Sequence, residues 1–169
     1  ITTASEVAAQ IETMDARTPS NGAQVVARAW VDPDFHKALM DDASIATREM
    51  GFDIGPLKLI AVQNTADTHN MIVCTLCSCY PRNLLGLPPD WYKSRAYRSR
   101  TVREPRSVLA EFGVTLPDTV TVRVHDSTAD MRYIVIPMRP EGTENMSQNE
   151  LAELVTRDSM IGTGVAKIA

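Results

Sequence analysis

Apolar residues recur at helical spacing through the first third of the chain. Val7, Ala8 and Ile11 share one face behind a Ser5 cap. After Pro19-Ser20-Asn21, where Ser20 or Asn21 can start a second helix, Val25, Val26, Ala29 and Trp30 continue the pattern as far as Asp32-Pro33. Asp32 as N-cap with Pro33 in the first turn opens a third helix, with Phe35, Leu39 and Ile45 inward and Gly51 as its stop. Such an arm has too little apolar surface to fold alone, so it must pack on the body of the chain or on a partner.

From residue 58 the period changes. Lys58-Leu59-Ile60-Ala61-Val62-Gln63 and Met71-Ile72-Val73 are aliphatic enough for strands, joined by the polar link Asn64-Thr65-Ala66-Asp67. Pro81 and Pro88-Pro89 are expected to hold the next stretch out of regular structure. Glu104-Pro105 starts a helix through Val108, Leu109 and Phe112, stopped by Gly113. Val120 to His125 alternates as a half-buried strand, and Arg132 to Ile136 is expected to return antiparallel to it as a hairpin across residues 126–130. Ser147-Gln148-Asn149-Glu150 is a capping box for a helix through Leu151, Leu154 and Val155. The elements predict an α+β domain: a helical N-terminal arm over 1–55 and an α/β metal-binding body over 56–169, forming one structural unit.

Composition narrows the class. The chain has 169 residues, 44% hydrophobic and carrying a net charge of -4, which fits one globular domain and argues against nucleic acid as the main partner. Trp91, Tyr92 and Tyr97 do alternate with Lys93, Arg95, Arg98, Arg100, Arg103 and Arg106, but an arginine network steadying an anionic site or a subunit interface explains them better. No apolar run is long enough to span a bilayer, and the first residues lack the basic and apolar regions of a signal peptide, so a cytoplasmic setting is expected.

All three cysteines lie in Cys74-Thr75-Leu76-Cys77-Ser78-Cys79. Their odd number and tight spacing exclude a disulfide framework. Three thiolates in one turn repel unless a cation neutralises them. There is no fourth cysteine to complete a zinc tetrahedron, and His69 lies on the far side of a predicted strand. The nearest further donors are the backbone amides of Ser78 and Cys79. Thiolates with deprotonated amides suit trivalent cobalt or iron, with one octahedral position open for chemistry. Zinc or an iron–sulfur cluster shared with another chain, and cysteines without function, remain alternatives. His36 has no metal-binding residue at helical spacing and is read as a solvated or capping side chain.

At these residues the sequence resembles the nitrile hydratases, specifically their α subunit, whose C-[TS]-L-C-S-C motif is met without a mismatch. The resemblance continues through Gly86-Leu87-Pro88-Pro89-Asp90-Trp91-Tyr92-Lys93-Ser94 and Val102-Arg103-Glu104-Pro105-Arg106, then Met138-Arg139-Pro140-Glu141-Gly142-Thr143 and Leu154 to Gly162. It implies a layered α/β/β/α fold and hydration of a nitrile to the amide. The implied site is a low-spin Co(III), with Fe(III) as the alternative, bound by Cys74, Cys77, Cys79 and the amides of Ser78 and Cys79. Cys77 would mature to a sulfinic acid and Cys79 to a sulfenic acid, these two being the catalytic residues. Thr75 and Tyr80 resemble the cobalt branch.

The same resemblance implies a β subunit, with a third small subunit as a further candidate, and a metallochaperone or activator for cobalt insertion. Asp126, Asp130 and Arg132 match polar positions outside the metal shell, although turn residues of a hairpin are an equal reading. The family's Tyr-Pro-Trp-Pro is Tyr80-Pro81-Arg82-Asn83 here, which puts Tyr80 and Arg82 in a more polar and positive pocket. Tyr-Pro-Arg resembles the γ subunit of thiocyanate hydrolase, the enzymatic alternative. A bulky polar heteroaromatic nitrile, such as a cyano-pyrrolopyrimidine nucleoside, would also suit such a pocket. A non-catalytic cobalt-carrying assembly subunit is the alternative from another class.

Overall fold

A computed structural model describes Thr3 and residues 18–168, so the helix expected behind Ser5 lies outside the described residues. Helix α1, Pro19–Val31, begins with proline in its first turn after an extended Thr18. Asp32 then caps α2, Pro33–Asp41, by accepting the Phe35 N–H at 2.9 Å. The single third helix expected to run to Gly51 is two. Asp42 is extended and caps α3, Ala43–Glu49, through the Ile45 N–H. That break rotates Ile45 outward to 54% exposure and buries Ala43, Ala46 and Thr47 in its place.

Strands β1, Lys58–Gln63, and β2, Thr68–Val73, follow. The proline-rich stretch expected to be irregular holds three helices: α4, Arg82–Leu85, α5, Asp90–Lys93, and α6, Arg95–Arg103. Pro81 and Pro89 take the N-cap positions of α4 and α5, where a missing N–H costs nothing, and Ser94 caps α6 through the Tyr97 N–H. Helix α7, Pro105–Glu111, starts where Glu104-Pro105 placed it. Strands β3, Thr121–Asp126, and β4, Met131–Ile136, precede α8, Gln148–Glu153, which opens with the expected Ser147/Glu150 capping box. Leu154 ends α8, and a second box from Thr156 and Ser159 starts α9, Arg157–Ile161.

The expected β3–β4 hairpin does not form. β1 pairs in parallel with β4 and β2 in parallel with β3, so each short link carries the chain from one two-stranded sheet to the other. The burial of the strands explains why. All but the first residue of β2 and the last three of β4 are buried without alternation, as befits strands covered on both faces. Helices α2 and α3 lie against β1, α7 against β3 and α9 against β4, which completes a layered α+β fold of the α/β/β/α kind. Val25, Val26 and Leu39 of the helical arm share one core with Ile72, Val73, Ile134 and Ile136.

β1 and β2 are not laddered to each other, and side chains take over the bonding between them. Asn64 Oδ1 accepts the Asn70 N–H at 2.7 Å and its Nδ2 at 3.0 Å. Asn70 Oδ1 accepts from His125 Nε2 at 2.8 Å. His69 Nε2 donates to the Gly162 carbonyl at 2.7 Å, which leaves Nδ1 to accept from Asn64 Nδ2 at 3.4 Å. This bonding requires neutral histidine. Gly162 itself ends α9 at φ 91°, where a Cβ would meet the Asn70 carbonyl oxygen and lie 2.8 Å from Met71 Cα.

Two outcomes follow. Gly162→Ala combines backbone strain with overpacking against β2 and is expected to cost about 3 kcal/mol, while Gly142→Ala, at φ 79° but in open space, costs about 1 kcal/mol. Urea melts of the two variants check this, and equal losses would contradict it. Burial holds His69 below its ordinary value despite the bond to Gly162, and burial and the Arg123 charge do the same for His125. A depressed histidine means the unfolded state binds more protons, so stability is full above about pH 6.5 and falls as pH drops below it. The urea midpoint should therefore hold from about pH 8 to 7 and decline from about 6.5 to 5; a flat or rising midpoint would contradict the buried neutral pair.

Candidate metal centre

The cysteine loop leaves β2 at a fully buried strand end. Val73 is opposite Asp126 in the ladder and accepts the Ser127 N–H at 2.7 Å. Asp126 then turns its carboxylate onto the loop. Oδ1 accepts the Thr75 N–H at 2.9 Å and Oδ2 the Thr75 hydroxyl at 2.6 Å. On the other side Arg98 Nη1 donates to the Cys77 carbonyl at 2.8 Å and reaches the Leu76 carbonyl at 3.5 Å. From below, the Tyr92 hydroxyl donates to the Cys79 carbonyl at 2.9 Å, and the Tyr97 hydroxyl to the Ile72 carbonyl at 2.8 Å.

Those tyrosines belong to an aromatic cluster. Trp91 stands edge-on to Tyr97 at 4.9 Å and to Phe112 at 4.7 Å, and Tyr80 edge-on to Tyr92 at 5.0 Å. The alternation of aromatic and basic residues is therefore a buried aromatic wall with its arginines outside. Arg100 pairs with Glu104 and Glu111, Arg106 donates to carbonyls before β3, and Arg98 is the member that reaches the loop.

The three sulfurs converge. Cys77 Sγ lies 3.5 Å from Cys74 Sγ and 3.2 Å from Cys79 Sγ, and all three fall within 4.8 Å of one another. Metal–sulfur bonds of about 2.3 Å put two sulfurs roughly 3.3 Å apart at a right angle and roughly 3.8 Å apart at a tetrahedral one. The 3.2 Å contact sits at the right angle and the 3.5 Å contact midway between the two, so the spacing admits an octahedral ion. The Ser78 and Cys79 N–H groups act on the Cys77 thiol as hydrogen-bond donors. Bonds from Cys79, Cys74 and these amides lower the Cys77 thiol, while burial, with Cys77 and Cys74 beside it, raises Cys79 against the opposing charge of Arg132.

The loop forms one wall of a cavity of about 360 Å³. Cys77, Ser78 and Cys79 line it together with Tyr80, Arg82 and Arg132, all named from the sequence, and with Lys58, which was not. Arg132 bonds back to the Thr128 and Met131 carbonyls. Asp126 meets the loop rather than the cavity. Asp130 is exposed and enters through its carbonyl, which accepts the Lys58 N–H at 2.9 Å and starts the β1–β4 ladder. Sequence reasoning missed the Thr75–Asp126 and Arg98–Cys77 contacts; the one local signal was Tyr97 with Thr101, four residues apart on a single helical face. His69 and His36 stay away from the sulfurs, His36 meeting Gln63 at 2.9 Å.

A family model described as nitrile hydratase, alpha chain, matches residues 1–164. The low-molecular weight cobalt-containing nitrile hydratase subunit alpha of Rhodococcus rhodochrous is 56% identical over 150 residues, covering 87% of this chain and 72% of that one. The thiocyanate hydrolase subunit gamma of Thiobacillus thioparus is 45% identical over 163 residues, covering 88% of this chain and 66% of that one. Among solved structures, a double mutant of the Fe-type nitrile hydratase from Comamonas testosteroni Ni1 superposes with a TM-score of 0.92 at 41% identity, covering 97% of this chain and 81% of that one. A cobalt-containing relative in sequence and an Fe-type relative in structure share this backbone, so the fold alone does not select the metal. In its motif, its sulfur cluster and its layered fold alike, the chain belongs to the nitrile hydratase alpha-chain family.

Proposed function

We propose that the chain is the metal-carrying α subunit of a nitrile hydratase, a hydro-lyase that adds water across C≡N to give the amide. The observation that carries this reading is the meeting of three sulfurs at the wall of an open cavity. Cys74, Cys77 and Cys79 with the amides of Ser78 and Cys79 would hold cobalt, the metal named for the cobalt-containing relative, as Co(III), with Fe(III) as the alternative. Bound there, the ion supplies a Lewis acid that polarises the nitrile.

In this reading Cys77 is a sulfinic acid and Cys79 a sulfenic acid, successive rungs of thiol oxidation. A deprotonated sulfenate oxygen on Cys79 would take a proton from the attacking water, whose oxygen bonds to the nitrile carbon as that proton passes on to nitrogen, and the imidic acid so formed becomes the amide when its O–H proton moves to nitrogen. Asp126 fixes the loop through Thr75, Arg132 offsets the charge beside Cys79, and Asp130 holds the start of β1. Tyr80 and Arg82 shape the wall. Helical arm and body act as one unit, in the cytoplasm. A β subunit closes the open side, with a third small subunit as a further partner, and an activator inserts cobalt. The cavity has room for a bulky polar heteroaromatic nitrile.

One observation favours a second reading. Among the described residues Lys58, Arg82 and Arg132 line the cavity and no carboxylate does, a setting for an anion such as thiocyanate.

Metal analysis and intact mass of protein produced with cobalt, followed by parallel assays on a nitrile and on thiocyanate, separate the readings. About one cobalt per chain, oxygen on Cys77 and Cys79, and amide formation are expected. Carbonyl sulfide from thiocyanate without amide formation would establish the second reading, and zinc with unoxidised cysteines and no turnover would exclude both. Asp126→Ala frees Thr75 and is expected to lower turnover or metal content about 10- to 100-fold, whereas Asp126→Asn, which can still bond both Thr75 groups, retains most of it. Equal losses in the two variants would rule out this clamp.

A further inference from the structure

Arg98 is the one cation among the described residues that hydrogen-bonds the backbone of the cysteine loop. Its placement follows from its neighbour. Tyr97 pins α6 to β2 through the Ile72 carbonyl, and the next residue along the helix sends Nη1 to the Cys77 oxygen. Among the described residues no carboxylate pairs with Arg98, although Arg100, two positions on, is paired twice. Arg98 Nε is buried with no hydrogen-bond partner. A guanidinium left this incompletely bonded is positioned for something other than its own satisfaction.

The Cys77 oxygen and the Ser78 nitrogen belong to one peptide unit. Its oxygen accepts from Arg98, and its nitrogen is the Ser78 amide of the proposed ligand set. A peptide nitrogen that bonds to a metal ion gives up its proton to water, and amide resonance spreads the remaining negative charge onto the carbonyl oxygen. That oxygen then accepts from Arg98 in a charge-assisted bond, roughly twice as strong as a neutral one. Tyr92 supplies the contrast. It bonds the Cys79 carbonyl, whose peptide nitrogen belongs to Tyr80 and lies outside the cluster.

We propose that Arg98 is a positioning residue for the metal centre, holding the peptide between Cys77 and Ser78 in its metal-binding form by pairing with the charge on the Cys77 oxygen. The inference rests on the metal-centre reading above and assigns a role to a residue that reading does not use. It also gives the isolated chain a means of its own to retain the ion, apart from any group a partner contributes.

The test uses the full chain loaded with cobalt, following cobalt per chain, the rate of cobalt loss to EDTA and the ligand-to-metal charge-transfer absorption. Arg98→Met is expected to lose cobalt about 10- to 100-fold faster with a shifted band. Arg98→Lys restores most of the retention, and Tyr92→Phe, which loosens the loop without touching the charge on the Cys77 oxygen, loses cobalt more slowly than Arg98→Met. Arg98→Gln, which keeps a donor without the charge, behaves as Arg98→Met and serves if the methionine variant fails to fold, as judged by the thermal midpoint of the metal-free protein. Wild-type retention in both neutral variants, a lysine variant as weak as they are, or an equal loss in Tyr92→Phe would each overturn the proposal. Failure of the wild-type chain itself to take up cobalt would instead overturn the metal-centre reading, and this inference with it.

Discussion

The pair of hydrogen bonds from Thr75 to Asp126 is the constraint on which the rest depends. Cys77 Sγ, 3.5 Å from Cys74 Sγ and 3.2 Å from Cys79 Sγ, is held closer to both than neutral thiols settle by themselves, and a free six-residue loop would splay the three. Asp126 prevents this because it closes a parallel ladder, so the carboxylate that grips Thr75 is fixed by the same strand that fixes Val73. Arg98 and Tyr92 grip the later part of the loop from helices docked on the same strand end. The loop is thus rigid for tertiary reasons, with no regular secondary structure of its own.

What the sequence discloses is local. The cysteine spacing, the Asp32 and Ser147 caps and the aliphatic runs of the strands are written within a few residues of each other, and the structure bears them out. Which strand pairs with which is not local. Alternation in Val120 to His125 defines two faces and is equally satisfied by a hairpin or by a parallel partner fifty residues earlier. The unbroken burial of β2 decides the matter, and it shows only once helices cover both sides. Helices α4 to α6 were hidden because Pro81 and Pro89 read as breakers, when each stands at a helix start.

The contacts around the centre divide along the same line. The three cysteines whose sulfurs converge lie together in one short stretch of sequence. The residues that hold the loop come from 51 positions ahead for Asp126 and 21 for Arg98, and the Tyr97–Thr101 face beside Arg98 is the one local mark of either contact. Asp130 and Asp126 look alike as turn residues, yet one meets the loop through its side chain and the other supports a strand through its carbonyl. As sequence the two aspartates carry the same turn chemistry, and only the fold separates them.

The parallel pairing of β2 with β3 also bears on the order of events during synthesis. Residues 74–79 leave the ribosome well before Asp126, 51 residues later, which at about 5–20 residues per second is an interval of roughly 3–10 s. Throughout it the three thiols hang on an unpaired strand with no clamp to gather them. Strand partners so distant in sequence join late in folding. The nascent chain therefore passes its most vulnerable cysteines through the cell before it can shelter them, and an ion arriving early would meet a flexible thiol cluster instead of a shaped site.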